Sequence, residues 1–115
     1  MKNTLKLKKN YEFRSTIKRG NYYSGEFIEC FYLKNKNNYN SIGIAIKTKL
    51  CKAVKRNRIK RIIRAVYTEL EDDINSGNVF VFLWKKNVNI EECTYNNVLQ
   101  DMKKILKKIG IWNNE

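Results

Sequence analysis

The segment from Ala53 to Leu70 carries an apolar stripe at helical spacing, and this pattern constrains the fold more than any other feature of the chain. Side chains that recur at 3.6 residues per turn form one face of a helix, and an apolar face of this kind has to be covered by a core. The segment therefore predicts a long helix that packs on one side. Its stripe consists of Ile59, Ile62, Ile63, Val66 and Leu70.

The opposite side of this helix is basic and uncompensated. Arg56, Lys60 and Arg64 form an i, i+4 ladder flanked by Arg61, and like charges at this spacing cost about 0.2 to 0.5 kcal/mol per pair. From residue 30 to residue 68 there are eleven Lys and Arg and no acid. A purely structural helix would alternate its charges. We therefore interpret the face as an anion-binding surface, with a solvated charged face as the alternative.

The whole chain is basic as well, with 24 Lys and Arg against 11 Asp and Glu and a formal net charge of +13. This self-repulsion costs stability unless a polyanion relieves it. Nucleic acid and a membrane surface are both polyanions. The helix turns its apolar face to a core rather than to lipid, and no apolar run approaches the roughly 18 residues of a membrane span. We expect a nucleic acid rather than a membrane as the partner, and a cytoplasmic location.

The rest of the chain predicts one α+β domain over residues 1–115. Asn10 is the expected cap of a short helix that ends at Gly20, and Thr94 the cap of a last helix that ends before Gly110. Strands are expected over 26–33, 42–46 and 79–84, the first two joined as a hairpin by an Asn-rich turn. The predicted order is helix, strands, helix, strand, helix, around a mixed sheet of about four strands.

Two aromatic residues are candidates for contact with nucleotides. Phe13 lies on the first helix, and Phe31 shares a strand face with charged Glu29, so neither is forced into the deepest core. Gly43 and Ala45 alternate with isoleucines, which leaves one strand face unusually small. That face has room for a ligand, or for a closely packed helix, and the residues alone do not decide between these.

Signals of catalysis are lacking in the sequence. It has no histidine, no phosphate-binding glycine loop and no carboxylate spacing typical of a two-metal nuclease. The three cysteines are far apart and match no zinc pattern, so we expect free thiols. The acids Glu69, Glu71, Asp72 and Asp73 are interpreted as a solvated helix end. We predict neither catalytic residues nor a metal site.

The sequence Ala53-Val54-Lys55-Arg56-Asn57-Arg58-Ile59-Lys60-Arg61-Ile62-Ile63-Arg64 resembles the signature of bacterial ribonuclease P proteins. The resemblance covers nearly the whole chain. The segments 7–13 and 18–20 look like the opening helix of that family, residues 42–46 like the strand before its signature, and Thr94-Tyr95 like the start of its last helix.

This resemblance implies a protein subunit that helps a catalytic RNA remove the 5′ leader from precursor tRNA, with Mg²⁺ used by the RNA. The expected partners are these two RNA molecules and not DNA. It also implies the fold of a ribosomal small-subunit protein domain, with a left-handed crossover into the basic helix. The residues expected to face the catalytic RNA are Arg56, Asn57, Arg58, Lys60, Arg61 and Arg64. Those expected to line a cleft for the single-stranded leader are Phe13, Ile17, Phe31 and Ala45, with Lys60 and Arg64 at its border.

The chain departs from the family pattern at a few positions. Cys51-Lys52 stands where the family usually has Gly-Asn, Ala65 where it has Glu, and Trp84 where it has Arg. We expect Trp84 to replace a charge by stacking, and Ile17 to replace an aromatic contact by an apolar one. A ribosomal or nucleoid-associated structural protein is the alternative function, because the same charge and fold class would suit it.

Overall fold

The computed structural model describes residues 1–113, which form a five-stranded sheet with helices on both faces. The sheet order is β1-β4-β5-β3-β2, and the prediction of an α+β fold with a mixed sheet is confirmed. The elements in chain order are β1 Thr4–Lys6, α1 Asn10–Arg19, β2 Asn21–Ser24, β3 Ile28–Lys34, β4 Asn40–Ala45, α2 Ala53–Leu70, β5 Asn78–Trp84 and α3 Tyr95–Ile109.

The predicted hairpin between the strands at 28–34 and 40–45 is wrong, because β5 lies between them. β5 runs antiparallel to β3 and parallel to β4. From Val79 to Trp84 the strand is apolar at every position, and such a strand needs both faces covered and both edges paired. The Asn-rich segment crosses the end of β5 instead of making a tight turn, and Asn35 N–H donates to Gly77 O at 2.9 Å.

Two strands were missing from the sequence prediction, so the sheet has five rather than about four. β1 has three residues and pairs in parallel with the start of β4, and β2 has four and pairs with β3. Both are too short to show a periodic pattern. β2 and β3 form the actual antiparallel hairpin of the fold.

The main core lies between one face of the sheet and the helices α2 and α3. Ile59, Ile63 and Val66 of α2 are fully buried there, as predicted, and Tyr67 packs edge-on against Phe80 of β5 with ring centroids 5.8 Å apart. The apolar stripe of α3 is buried in the same core. The basic helix is therefore fixed to the sheet along its whole apolar side.

The second face of the sheet is covered only in part, by α1. Side chains alternate between the faces along a strand, so Val81 points away from the main core, and it is nevertheless fully buried. Lys9 rather than Asn10 occupies the cap position of α1, and its N–H donates to Glu12 Oε1 at 3.1 Å. Gly20 ends the helix as predicted. The part of this face that α1 leaves open is the site described next.

Candidate nucleic-acid interface

The outer side of α2 presents Asn57, Arg58 and Arg61 to solvent. α2 begins at Ala53, so Asn57 lies in its second turn and does not cap it, and no hydrogen bond of its side chain is found in residues 1–113. The ion pairs Lys2–Asp72 and Lys55–Glu91, both at 3.5 Å, involve none of the three residues. These groups are free to meet anionic ligands.

Arg56, predicted to face RNA, is tied to the protein itself. Its Nη1 donates to the carbonyl oxygens of Cys51 at 2.5 Å and of Thr48 at 3.3 Å. These bonds fix the loop that enters α2. Arg56 thus stabilises the helix entrance, and a guanidinium has further donors that a phosphate could still reach.

Lys60 and Arg64 turn toward the edge of β4, where the sheet is open. β1 ends at Lys6 opposite Ile42, so Gly43 to Ala45 have no strand partner on that side. A cleft of about 220 Å³ lies there between α1 and α2. Its lining brings together Phe13 of α1, Gly43 of β4 and the two cations of α2, and the remaining lining residues are Lys6, Leu7, Ile42 and Ile44.

The absence of a side chain at Gly43 sets the position of Phe13. A Cβ added at Gly43 would lie 2.6 Å from Cε1 and Cζ of the Phe13 ring, far inside van der Waals contact. The ring therefore lies directly on the backbone of β4. A side chain of α1 thus packs closely on the small strand face, and a cleft remains beside it.

Arg64 has an unpaired donor at this cleft. Its Nε is buried and has no hydrogen-bond partner in the described part of the chain. A buried polar group without a partner costs free energy, on the order of 1 to 3 kcal/mol, and native proteins rarely leave one unpaired.

The other predicted cleft residues lie on the same face of the sheet. Phe31 aligns with Val81 and Gly43 across the strands, and Ala45 lies one row further along. Phe31 is half-buried, and its ring centroid is 5.2 Å from that of Tyr22 on β2. Ile17, one turn after Phe13, is 38% exposed. Phe13, Lys60 and Arg64 thus line the cleft itself, whereas Phe31 and Ala45 lie on the same face of the sheet outside its lining.

Two buried carboxylates that hold this surface together were missed. Asp101 of α3 accepts the N–H groups of Glu26, Phe27 and Ile28 at 2.6, 2.9 and 2.8 Å, which fixes the bend before β3. An acid among the buried positions of the last helix was the available signal. Its neighbours in that stripe are Val98, Met102 and Ile105.

Glu71 contradicts the prediction of a solvated acidic cluster, because it is 5% exposed. Its carboxylate accepts the N–H groups of Lys2 and Asn3 at 2.7 and 3.1 Å, and the hydroxyl of Thr4. Burial opposes ionisation, but these donors outweigh it and lower the pKa of Glu71. They anchor the N-terminal segment, which carries Lys6 and Leu7 into the cleft. No sequence pattern indicated this contact.

Trp84 is not available for stacking on RNA as expected. It is 2% exposed, its ring stacks on Phe27 at 6.2 Å, and its Nε1 donates to Val88 O at 2.9 Å.

Among residues 1–113 no group of three or more His, Cys, Asp or Glu could hold a metal ion. Within the same residues, no helix is long and apolar enough to cross a membrane.

An α+β domain with an exposed arginine face and an aromatic cleft beside unpaired cations belongs to the class of RNA-binding proteins. The family model of ribonuclease P matches residues 1–110. The chain belongs to the ribonuclease P protein family.

Relatives of similar length support this assignment. The chain is 35% identical over 109 residues to the ribonuclease P protein component of Clostridium botulinum (strain Loch Maree / Type A3), covering 94% of this chain and 96% of the relative. It is 36% identical over 112 residues to that of Bacillus cereus (strain 03BB102), covering 96% of each. The structure of the protein from Thermotoga maritima superposes with a TM-score of 0.80 at 26% identity, covering 90% of this chain and 96% of the other.

Proposed function

We propose that the chain binds the catalytic RNA of ribonuclease P through α2 and the single-stranded 5′ leader of precursor tRNA through the cleft. Family membership supports the partners, and the geometry supports the division of labour. The RNA-facing set is Arg56, Asn57, Arg58, Lys60, Arg61 and Arg64, and the leader-facing set is Phe13, Ile17, Phe31 and Ala45, bordered by Lys60 and Arg64. The reaction would take place in the cytoplasm.

The observation that carries this proposal is the cleft that brings the ring of Phe13 together with the cations Lys60 and Arg64. A guanidinium pairs with phosphate oxygens, and an aromatic ring stacks on an unpaired base. Single-stranded RNA offers both groups with every nucleotide. Lys60 and Arg64 lie between the outer face of α2 and the cleft, so they can contact either RNA where the two meet.

In this proposal the polypeptide performs no bond chemistry. The Mg²⁺ ions that ribonuclease P needs would be bound by the catalytic RNA and not by a dedicated site on the protein. The protein would contribute by neutralising phosphates and by holding the leader, which raises the affinity for precursor over mature tRNA. The net charge of +13 suits a subunit placed between two RNA molecules.

The experiment is to mix the protein with a bacterial ribonuclease P RNA and precursor tRNA at low Mg²⁺ and to compare cleavage with that by the RNA alone. We expect stimulation. A ribosomal or nucleoid structural protein would give none, and that result would refute the proposal.

Phe13→Ala tests the leader contact within the same assay. Loss of one stacking platform should weaken binding of precursor tRNA by about 1 to 3 kcal/mol, roughly 5- to 150-fold, and leave mature tRNA unaffected. Tyr11→Ala is the matched control, because Tyr11 is an aromatic on the same helix that is 60% exposed outside this cleft. Equal losses for both tRNAs would assign Phe13 to the core alone.

A further inference from the structure

Among residues 1–113, Glu29 is the only acidic residue in a strand of the sheet, and it lies on the face that the proposed leader would occupy. Its Cα is paired with that of Leu83 on β5, which is paired in turn with that of Ala45 on β4. Phe31 is two residues further along the same strand and on the same face. A carboxylate here is unexpected, because the surface around it is built to attract phosphates.

The surroundings of Glu29 form a cleft of about 390 Å³ at the carboxyl ends of β4 and β5. Three cations, Lys47, Lys85 and Lys86, line it together with Glu29. None of them makes an ion pair with Glu29 in the described part of the chain, and Lys85 Nζ donates instead to Gly25 O at 2.8 Å. The carboxylate is therefore not present to neutralise a neighbouring lysine.

Tyr22 holds Glu29 in place from the adjacent strand. Its hydroxyl donates a hydrogen bond to Glu29 Oε2, and this bond raises the pKa of Tyr22. A carboxylate has about four lone-pair sites on its two oxygens. After the bond from Tyr22, Oε1 and part of Oε2 can still accept hydrogen bonds from a ligand in the cleft.

We propose that Glu29 reads one base of the leader and favours guanine over uracil, an inference that rests on the proposed leader-binding function. The carboxylate repels phosphates, so the group that it meets has to be a hydrogen-bond donor. The Watson–Crick edge of guanine presents two neighbouring N–H donors that match two carboxylate oxygens. Uracil presents one N–H between two carbonyl oxygens, which the carboxylate repels. Adenine and cytosine, with one amino group each, fall between the two.

The aromatic neighbours of Glu29 are placed to stack on the base that it would recognise. RNA bases that are splayed out of a single strand commonly stack on an aromatic ring while their polar edge is recognised. The rings of Phe31 and Tyr22 lie 5.2 Å apart beside Glu29, and both are accessible. Lys47, Lys85 and Lys86, which line the cleft around Glu29, can bind the phosphates that flank the base.

The test uses the holoenzyme with a set of precursor tRNAs. Each single-stranded leader position is changed in turn to all four bases, so that any two compared substrates differ at one position. At one position, wild type should cleave the guanine substrate with a kcat/KM about 10-fold above that of the uracil substrate, the value of one hydrogen bond to a charged acceptor. Glu29→Gln keeps the size of the side chain and adds an N–H donor, from which a carbonyl oxygen of uracil can accept a hydrogen bond. The ratio of kcat/KM for guanine over uracil should therefore fall to near one.

Two further variants separate specific reading from charge. Tyr22→Phe leaves the charge unchanged but frees the carboxylate, so the preference should shrink without a change in the affinity for mature tRNA. Glu92→Gln removes the same charge at an exposed site outside this cleft and should keep the wild-type ranking of bases. A Glu29→Gln holoenzyme that ranks the bases as wild type does, or a wild type without any preference, overturns the inference. Failure of the protein to stimulate cleavage at all would refute the proposed function instead.

Discussion

Replacing Gly43 by alanine tests the contact on which the cleft depends. The new Cβ would lie 2.6 Å from the Phe13 ring and 3.1 Å from Leu7 Cδ1. The backbone at this position has an ordinary negative φ, because Gly77 and Gly110 are the glycines with positive φ in residues 1–113. The cost is therefore steric, and overpacking of this kind destabilises by about 1 to 3 kcal/mol.

A double-mutant cycle isolates this contact from general effects on β4. In a Phe13→Ala background only the 3.1 Å approach to Leu7 Cδ1 remains, so Gly43→Ala should cost much less there, and the coupling energy should account for most of the cost in wild type. The free energy of unfolding from urea titrations gives all four values. If Gly43→Ala is equally harmful in both backgrounds, the ring of Phe13 does not rest on β4, and our description of the cleft is wrong.

The Gly43→Ala variant should also change function in a defined direction. Displacing the Phe13 ring removes the proposed stacking platform while the charge of α2 stays the same. Affinity of the holoenzyme for precursor tRNA should fall, whereas affinity of the protein for the catalytic RNA should not. If the affinity for the catalytic RNA fell while the affinity for precursor tRNA stayed the same, the proposed separation of the two surfaces would be wrong.

Three other perturbations have directions set by the structure. Asp101→Ala leaves three N–H donors without their acceptor, two of them partly reached by water. The free energy of unfolding from urea titrations should fall by about 2 to 4 kcal/mol. A loss under about 1 kcal/mol would mean that the bend before β3 does not depend on Asp101. The folded pKa of Glu71 lies below its unfolded value, so its contribution to stability is present above about pH 4.3 and is lost as the pH falls through the folded pKa. Glu71→Gln should therefore flatten the acid side of a stability profile measured from pH 7 to 3, and an unchanged profile would exclude this anchor. Arg58→Ala should reduce the slope of log K against log salt for the catalytic RNA by about 0.7 to 0.9, whereas an equal change in the control Lys104→Ala would show that only net charge matters.

Sequence patterns predicted the parts of this protein that depend on local repetition. The buried stripe of α2 and the cap of α3 at Thr94, whose Oγ1 accepts the N–H of Asn97 at 3.1 Å, follow from residues within a few turns of each other. The alternation of Glu29 and Phe31 with the buried residues of β3 is equally local. The basic signature of α2 is also contiguous, so the class of ligand could be predicted without the fold.

The sequence by itself thus determined the helices, the core stripes and the basic face, because hydrophobic periodicity and charge act between near neighbours. Only the tertiary structure decided the strand order, the anchoring of the N-terminal segment and the lining of the cleft. These depend on contacts between residues far apart, such as Thr4 with Glu71 across 67 positions and Phe27 with Asp101 across 74. No local pattern encodes such pairs. For that reason only the folded structure shows that Arg56 stabilises the loop before α2 and that Phe13 packs on Gly43.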